Sequence, residues 1–261
     1  MYLGQHFLKN KLELKKIVKA LEIKPGDLII EIGAGHGELT TQLIKINTKL
    51  KIIAIEKDRK LVQFLKKKFQ NKKNIKIISG DVLKVLPALV RNFNSYKIVG
   101  NIPYYITGRL LRILSELKPK PKLVVLTVQK EVAKRLTALP PKMNLLSATV
   151  QFWAKPKILD YIPRKDFKPP PKVDSAIIKL KTKNLRLKAE QVKKYYQFVK
   201  ILFRYPRKNI LNNLLSKFSS NSDNLKSRLK SVKVKPESRA QSLNINQIKK
   251  LVKAFTKAGL L

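Results

Sequence analysis

The chain has 261 residues, 44% of them hydrophobic, which suits one large domain or one domain with a smaller companion and excludes general disorder. Lys and Arg number 58 against 16 Asp and Glu, a formal net charge of +42 that implies a polyanionic partner, nucleic acid first and an anionic membrane second. With no cysteine and two histidines, the sequence excludes disulfides, cysteine nucleophiles and iron–sulfur clusters, and no metal site is expected.

After a short mixed N-terminus, Lys11 to Glu22 reads as a basic amphipathic helix with Leu14, Ile17, Val18 and Leu21 on one face, ended by Pro25-Gly26. Leu28 to Ile32 reads as a buried strand, and a loop with Gly33, Gly35 and Gly37 leads into a helix from Glu38 to Ile46. A second strand runs from Lys51 to Glu56, and Asp58 caps a helix to about Phe69. Ile75 to Ile78 closes on Gly80-Asp81, and Tyr96 to Val99 closes on Gly100-Asn101-Ile-Pro-Tyr104. A helix from about Thr107 to Leu117, a strand from Leu123 to Val128 and a helix from Gln129 to Thr137 follow. This alternation predicts a parallel, doubly wound α/β sheet, and right-handed crossovers put every strand's C-terminal end on one edge.

Ser147 to Trp153, Ile158 to Ile162 and Val173 to Lys181 read as extended, finishing the sheet with an antiparallel hairpin. Phe167-Lys-Pro-Pro-Pro-Lys172 between them reads as a polyproline-type segment. From about Leu187 the pattern is helical, with helices predicted over Gln191 to Phe203, Arg207 to Phe218 and Asn246 to Phe255 and a polar loop over Ser219 to Asn224. The expected division is an α/β domain over residues 1–183 and a small all-α domain over residues 184–261. No run of 18 apolar residues and no signal-peptide pattern occur, so a cytoplasmic protein without a membrane partner is expected.

Glycines at alternate positions let the backbone approach a ligand with no Cβ in the way. The spacing is GxGxG, not the GxGxxG of dinucleotide enzymes. Glu31, two residues ahead, would repel a diphosphate and suits a ligand with positive charge. Glu56, 19 residues after Gly37, stands where an acid takes ribose hydroxyls. A ribose, a positive charge and no diphosphate describe S-adenosylmethionine; a glycine-rich turn in another α/β protein is the alternative. At the end of the fourth strand, Asn101 and the following carbonyl offer two acceptors for the N–H groups of an exocyclic amine. An adenine amine is a poor nucleophile, and such acceptors favour the pyramidal form whose lone pair can attack a methyl group. Tyr104 offers a ring for the base to stack on, although the same residues also suit a strand-ending turn. Asp81 suits either the cofactor's adenine amine or a turn, and Phe167 either a second stacking surface or a core aromatic.

These residues carry a resemblance. Gly4-Gln-His-Phe-Leu8, Glu31-Ile-Gly-Ala-Gly-His-Gly37, Glu56-Lys-Asp58, Gly80-Asp-Val-Leu83, Gly100-Asn-Ile-Pro-Tyr104, Gln129-Lys-Glu-Val-Ala-Lys-Arg135, Phe167-Lys-Pro-Pro-Pro-Lys-Val-Asp-Ser175, Phe203 to Leu214 and Arg239-Ala-Gln-Ser-Leu243 resemble, in order, the ribosomal RNA adenine dimethyltransferases of the small-subunit, KsgA branch. The resemblance implies a Rossmann-like methyltransferase sheet with a helical C-terminal rRNA-binding domain. It implies a cofactor, S-adenosyl-L-methionine, held by His6, Leu8, Gly33, Gly35, Gly37, Glu56, Asp81, Val82 and Asn101. It assigns the target amine to Asn101, with Tyr104 and Phe167 as the base sandwich. It implies a monomer that dimethylates two adjacent adenosines in a hairpin near the rRNA 3′ end, on a nearly assembled small subunit. Arg204, Arg207 and Lys208, expected within one or two helical turns, are candidate RNA contacts. Tyr105 stands where the family often has Asn, Leu139 to Leu146 replaces a loop richer in Gly and Tyr, and the basic arm that commonly precedes the N-terminal motif is almost missing. The competing readings are a large-subunit rRNA adenine dimethyltransferase of the antibiotic-resistance type, a non-enzymatic ribosome assembly factor, and a DNA adenine or protein glutamine methyltransferase, which also uses Asn-x-Pro-Tyr.

Overall fold

Strands of Ile and Val bounded by glycine and asparagine organise the first of two units in the computed structural model, which describes residues 5–46, 49–184, 188–218 and 221–261. Gly4 of the N-terminal motif, Leu187 at the start of the helical pattern and Ser219-Ser220 of the expected polar loop lie outside the described residues. The first unit comprises Met1–Lys134 and Ala154–Lys183, and the second Arg135–Trp153 and Asn184–Leu261. Residues 135–153, expected in the first domain, therefore group with the helices.

The first unit begins with β1 (Phe7–Leu8) and α1 (Lys11–Ala20), followed by β2 (Leu28–Ile32), α2 (Glu38–Ile46), β3 (Lys51–Glu56), α3 (Arg59–Lys68), β4 (Ile75–Ser79), α4 (Val82–Leu89), β5 (Lys97–Asn101), α5 (Thr107–Glu116), β6 (Leu123–Gln129) and α6 (Lys130–Thr137), which runs across the boundary between the units. β7 (Ala154–Ile162), β8 (Phe167–Lys168) and β9 (Ser175–Thr182) complete it. The seven-stranded sheet has the order β4-β3-β2-β5-β6-β9-β7. Its first five strands are parallel; β9 runs antiparallel to β6, and β7 antiparallel to β9. β2, β3, β5 and β6 are buried along almost their whole length, as strands covered on both faces must be. The chain steps outward from β2 to β4 and returns to β5 on the other side of β2. Connections there diverge, and a crevice opens beyond the strand ends.

α4 was not among the expected elements, and it carries a proline, Pro87. Pro87 sits in the last turn, and Asp81 starts the helix by accepting the Leu83 N–H at 3.0 Å. β8 replaces part of the polyproline-type segment: it pairs antiparallel with β1, Leu8 opposite Phe167.

The second unit is helical: α7 (Leu145–Trp153), α8 (Ala189–Leu202), α9 (Ile210–Leu215), α10 (Ser222–Ser231) and α11 (Ile245–Lys257). The extended reading of Ser147 to Trp153 is corrected. The Asn144 side chain accepts the Leu146 and Ser147 N–H groups, each at 3.0 Å, while Ser147 Oγ accepts the Asn144 N–H at 2.9 Å. This cap starts a helix, and Val150, Phe152 and Trp153 are buried on it, so packing overrides their strand preference. Phe152 stacks on Tyr195 at 3.7 Å, and Phe255 packs against Phe198 and Phe218. The helix predicted over Arg207 to Phe218 is confined to α9, which Asn209 caps, and α10 begins within the expected polar loop.

Candidate active site

The crevice at the C-terminal ends of β2, β3 and β5 is lined by Gly33, Gly35, Glu56, Asp81, Val82, Asn101 and Tyr104, and by His6 and Leu8 from the N-terminal segment. Gly33 and Tyr104, 71 positions apart in the chain, meet there because parallel strands end on one edge. Gly37 and Phe167 are not among the residues that line it.

Glu56 is buried and organises the glycine loop. Its Oε2 accepts the Gly35 N–H at 2.9 Å, and its Oε1 accepts those of Lys57 at 2.8 Å and Asp58 at 2.9 Å. Gly35 has φ +58°, and a Cβ there would meet the Phe7 ring at 2.9 Å, so the loop and the N-terminal segment are in direct contact. Gly37 has a different task. A Cβ on it would stand 2.8 Å from Phe69 and 3.0 Å from Leu65, so it lets α3 pack on the loop.

Glu31 is fully buried, and its Oε2 accepts the Thr40 hydroxyl at 2.6 Å. Burial pushes its carboxyl up to about 8, against the opposing effect of Thr40. It is thus largely a neutral acid near pH 7 and not the free anion read from the sequence. Asp81 caps α4 and pairs with the Lys57 ammonium at 3.1 Å. Partial burial disfavours its ionised form, but the Leu83 N–H and Lys57 outweigh that and hold the carboxyl below its usual range.

Asn101 Nδ2 donates to the His6 carbonyl at 2.8 Å, which sets the amide's orientation. Among the described residues neither its Oδ1 nor the Ile102 carbonyl accepts a hydrogen bond, so two acceptors remain at the strand end. Tyr104 Oη lies 2.5 Å from Ser175 Oγ on β9. Burial raises the Tyr104 phenol above its ordinary range, and it stays neutral at any physiological pH. Its ring stacks on the His6 ring, centroids 5.9 Å apart and planes at 29°. His6 Nδ1 lies 2.9 Å from the Pro169 carbonyl; a carbonyl only accepts, so Nδ1 carries the proton. The Lys9 N–H donates to the Asp166 carbonyl at 2.9 Å, extending the β1–β8 pairing. Phe167 is 3% exposed and packs in the core with Leu8 and Leu14.

Ser175, Phe7, Thr40 and Lys57 were missed as participants. Ser175 lies in a motif with a family resemblance, but its partner is 71 residues away and leaves no local trace. Tyr105, noted only as a departure, is 59% exposed on the crevice rim.

In the second unit, Arg204, Arg207 and Lys208 are exposed in the loop between α8 and α9, not on a helix. Asn213, fully buried, holds the loop: it accepts the Tyr205 N–H at 2.9 Å and donates to the Tyr205 and Asn209 carbonyls at 3.1 Å. Arg204 and Lys208 lie 5.2 and 4.7 Å from the Tyr205 ring centroid. Among the described residues no cluster of three or more His, Asp or Glu suits a metal ion, and no helix is long and apolar enough to cross a membrane.

Comparison with known proteins places this geometry. Residues 1–257 match the family described as ribosomal RNA adenine dimethylase. The ribosomal RNA small subunit methyltransferase A of Dehalococcoides mccartyi is 38% identical over 256 residues, 97% of this chain and 87% of that protein. The protein of the same name from Caldanaerobacter subterraneus is 37% identical over 259 residues, covering 97% and 95%. The crystal structure of a dimethyladenosine transferase from Plasmodium falciparum matches with a TM-score of 0.81 at 28% identity, covering 97% of this chain and 98% of that one. The 23S rRNA methyltransferase ErmE, at 24% identity and a TM-score of 0.76, shares the fold. With residues 1–257 of its 261 matched, the chain belongs to the ribosomal RNA adenine dimethylase family.

Proposed function

We propose that the crevice holds S-adenosylmethionine and presents Asn101 and Tyr104 to an adenine of small-subunit rRNA. The protein is an rRNA adenine N6,N6-dimethyltransferase that uses S-adenosylmethionine. The residues present suit that cofactor. The loop has no Cβ at Gly33 and Gly35, two carboxylates stand at successive strand ends, and Lys57, the one lysine among the described residues that line the crevice, is paired with Asp81 and not aimed at a diphosphate. Glu56 takes the ribose hydroxyls with the lone pairs left after its three backbone contacts, Asp81 takes the adenine amine, and Val82 and Leu8 supply apolar walls. The cofactor, when bound, supplies an electrophilic methyl group on a sulfonium.

The residues of the chain do the rest by orientation. Asn101 Oδ1 and the Ile102 carbonyl hold the N–H groups of the target amine, which favours the pyramidal nitrogen needed for attack. Tyr104 carries the base after it leaves its stack. After the first transfer one N–H is gone, and a single acceptor still orients the amine for the second. The observation that carries this reading is the Asn101 amide, pinned through Nδ2 with Oδ1 unpaired at the mouth of a crevice that also holds the glycine loop.

The target is two adjacent adenosines in a hairpin near the 3′ end of the rRNA, in a nearly assembled subunit, and methylation is linked to assembly. The Arg204, Arg207 and Lys208 loop contacts phosphates. The protein works as a monomer in the cytoplasm. The test is to incubate it and labelled cofactor with undermethylated small subunits, large subunits, free rRNA and DNA, and to map the label. Dimethyladenosine in small-subunit rRNA is the expected product; none with Asn101→Ala, while particle binding persists, supports the role of the amide. Label confined to large subunits or DNA, or full activity of Asn101→Ala, would reject the corresponding part of the reading.

A further inference from the structure

We infer that the ring of Tyr105 is a stacking platform for the nucleotide next to the target adenosine, a second base subsite outside the pocket. This rests on the reading that an adenine leaves its stack to reach Asn101. Among the described residues four aromatic side chains are exposed: Phe64, Tyr105, Tyr161 and Tyr205. Three of them are covered by groups of the chain itself. His36 and Lys68 lie against Phe64, Lys130 over Tyr161, and Arg204 and Lys208 over Tyr205. Tyr105, 59% exposed, is the most open of the four, and among the described residues no ring or cation lies over its face. Lys57 is near enough to interact with its phenol, but Asp81 holds that ammonium at 3.1 Å. The ring therefore stands open on the rim of the crevice.

Local geometry sets Tyr105 apart from Tyr104. Tyr104–Ile106 form a single 3₁₀ turn, in which successive side chains point about 120° apart. Tyr104 is fastened to Ser175, Ile106 is buried, and Tyr105 takes the remaining direction, outward at the mouth. One turn thus carries a ring for the base that enters and a ring beside it. When the target leaves its stack, the neighbouring base loses a stacking partner. An open aromatic ring at the mouth replaces that partner. Stacking needs a π-face and no particular hydrogen-bonding edge, so the platform serves an unmodified and a dimethylated neighbour alike. A wall for the cofactor is the competing role. The apolar walls proposed for the cofactor, Val82 and Leu8, are 7% and 3% exposed, and a ring as open as Tyr105 is not built like them.

The test uses the full chain with Tyr105→Ala and Tyr105→Phe, undermethylated small subunits as substrate, and calorimetry with S-adenosylhomocysteine as a readout independent of turnover. If Tyr105 stacks on the neighbour, Tyr105→Ala loses about 5- to 150-fold in kcat/KM for the subunit, the range of one base–aromatic stack. Its affinity for S-adenosylhomocysteine stays within about twofold of wild type. Tyr105→Phe, which keeps the ring, recovers most of the turnover. A second substrate pair isolates the contact: subunits assembled on rRNA with an abasic nucleotide on the 5′ side, or on the 3′ side, of the adenosine that is scored. On one of the two, wild type and Tyr105→Ala converge, because the platform has no base to hold. Four results overturn the inference: Tyr105→Ala turning over like wild type on intact subunits, Tyr105→Ala losing cofactor affinity by the factor it loses in turnover, Tyr105→Phe being as slow as Tyr105→Ala, or the difference persisting with both abasic substrates. A wild type that methylates no rRNA particle overturns the functional reading and this inference together, whereas an active wild type with an equally active Tyr105→Ala overturns this inference alone.

Discussion

Tyr104 Oη and Ser175 Oγ are 2.5 Å apart, and Ser175 is fully buried on β9, so the hydroxyl of the proposed stacking residue is fastened to the sheet. For stacking alone the ring suffices, and Tyr104→Phe would be harmless. With this contact, Tyr104→Phe strands the Ser175 hydroxyl and frees the ring to rotate. Such a loss costs about 1–3 kcal/mol when the partner stays buried. Tyr104→Phe should therefore lower kcat/KM by roughly fivefold or more, and Tyr104→Phe with Ser175→Ala should be less than additive. A double-mutant cycle on kcat/KM checks it; strict additivity would show that the two groups act independently.

Glu56 serves the crevice twice, through three backbone N–H groups and through its remaining lone pairs. Glu56→Ala should weaken cofactor binding by on the order of 1.5–3 kcal/mol by removing charge-assisted contacts. It should also lower the melting temperature, because the Gly35 N–H loses its buried acceptor. Titration calorimetry and thermal unfolding measure the two effects. Unchanged cofactor affinity in a folded variant would remove Glu56 from the ribose site.

Glu31 gives a pH dependence of definite sign. Its ordinary value is 4.5 and its folded-state value about 8, so between these pH values the folded chain holds a proton that the unfolded chain has lost. Its contribution is most favourable below about pH 4.5, declines as pH rises through the window and is level above about 8. Glu31→Gln removes the titration. Its stability relative to wild type should rise with pH across the window, on the order of 5 kcal/mol in total. Urea unfolding of both proteins at pH 5, 6.5 and 8 tests this; a constant difference would mean that Glu31 ionises alike in both states.

Arg204, Arg207 and Lys208 project from a loop fastened by Asn213. Replacing all three by Gln should flatten the dependence of small-subunit binding on salt. Each lost phosphate contact removes roughly 0.7–0.9 from the log–log slope. Cofactor affinity should not change. An unaltered slope would leave these residues as a solvated basic surface.

Apart from α4, the order of strands and helices from Leu28 to Gln129, and the placing of the glycine loop, Glu56, Asp81 and Asn101 on one edge, were legible in the sequence. Alternating apolar strands, glycines and caps are local signals, and the fixed hand of the crossover turns them into a shared edge. Other features required tertiary contacts. Ser147 to Trp153 is short and carries Thr, Val, Phe and Trp, residue types that favour a strand; the Asn144 cap and the packing of Phe152 on Tyr195 decide for a helix. Arg207 and Lys208 left the helix because Asn209 and not Arg207 starts α9. The largest shift concerns Phe167 and His6. Pairing of β1 with β8 joins segments about 160 residues apart, turns Phe167 into the core and sets His6 against Tyr104. Residue types and local spacing carry no record of that pairing, since it depends on where the folded sheet leaves room for the N-terminal segment. The chemistry of the site was thus written locally in strand ends and glycines, while the walls that enclose it were decided only by long-range packing.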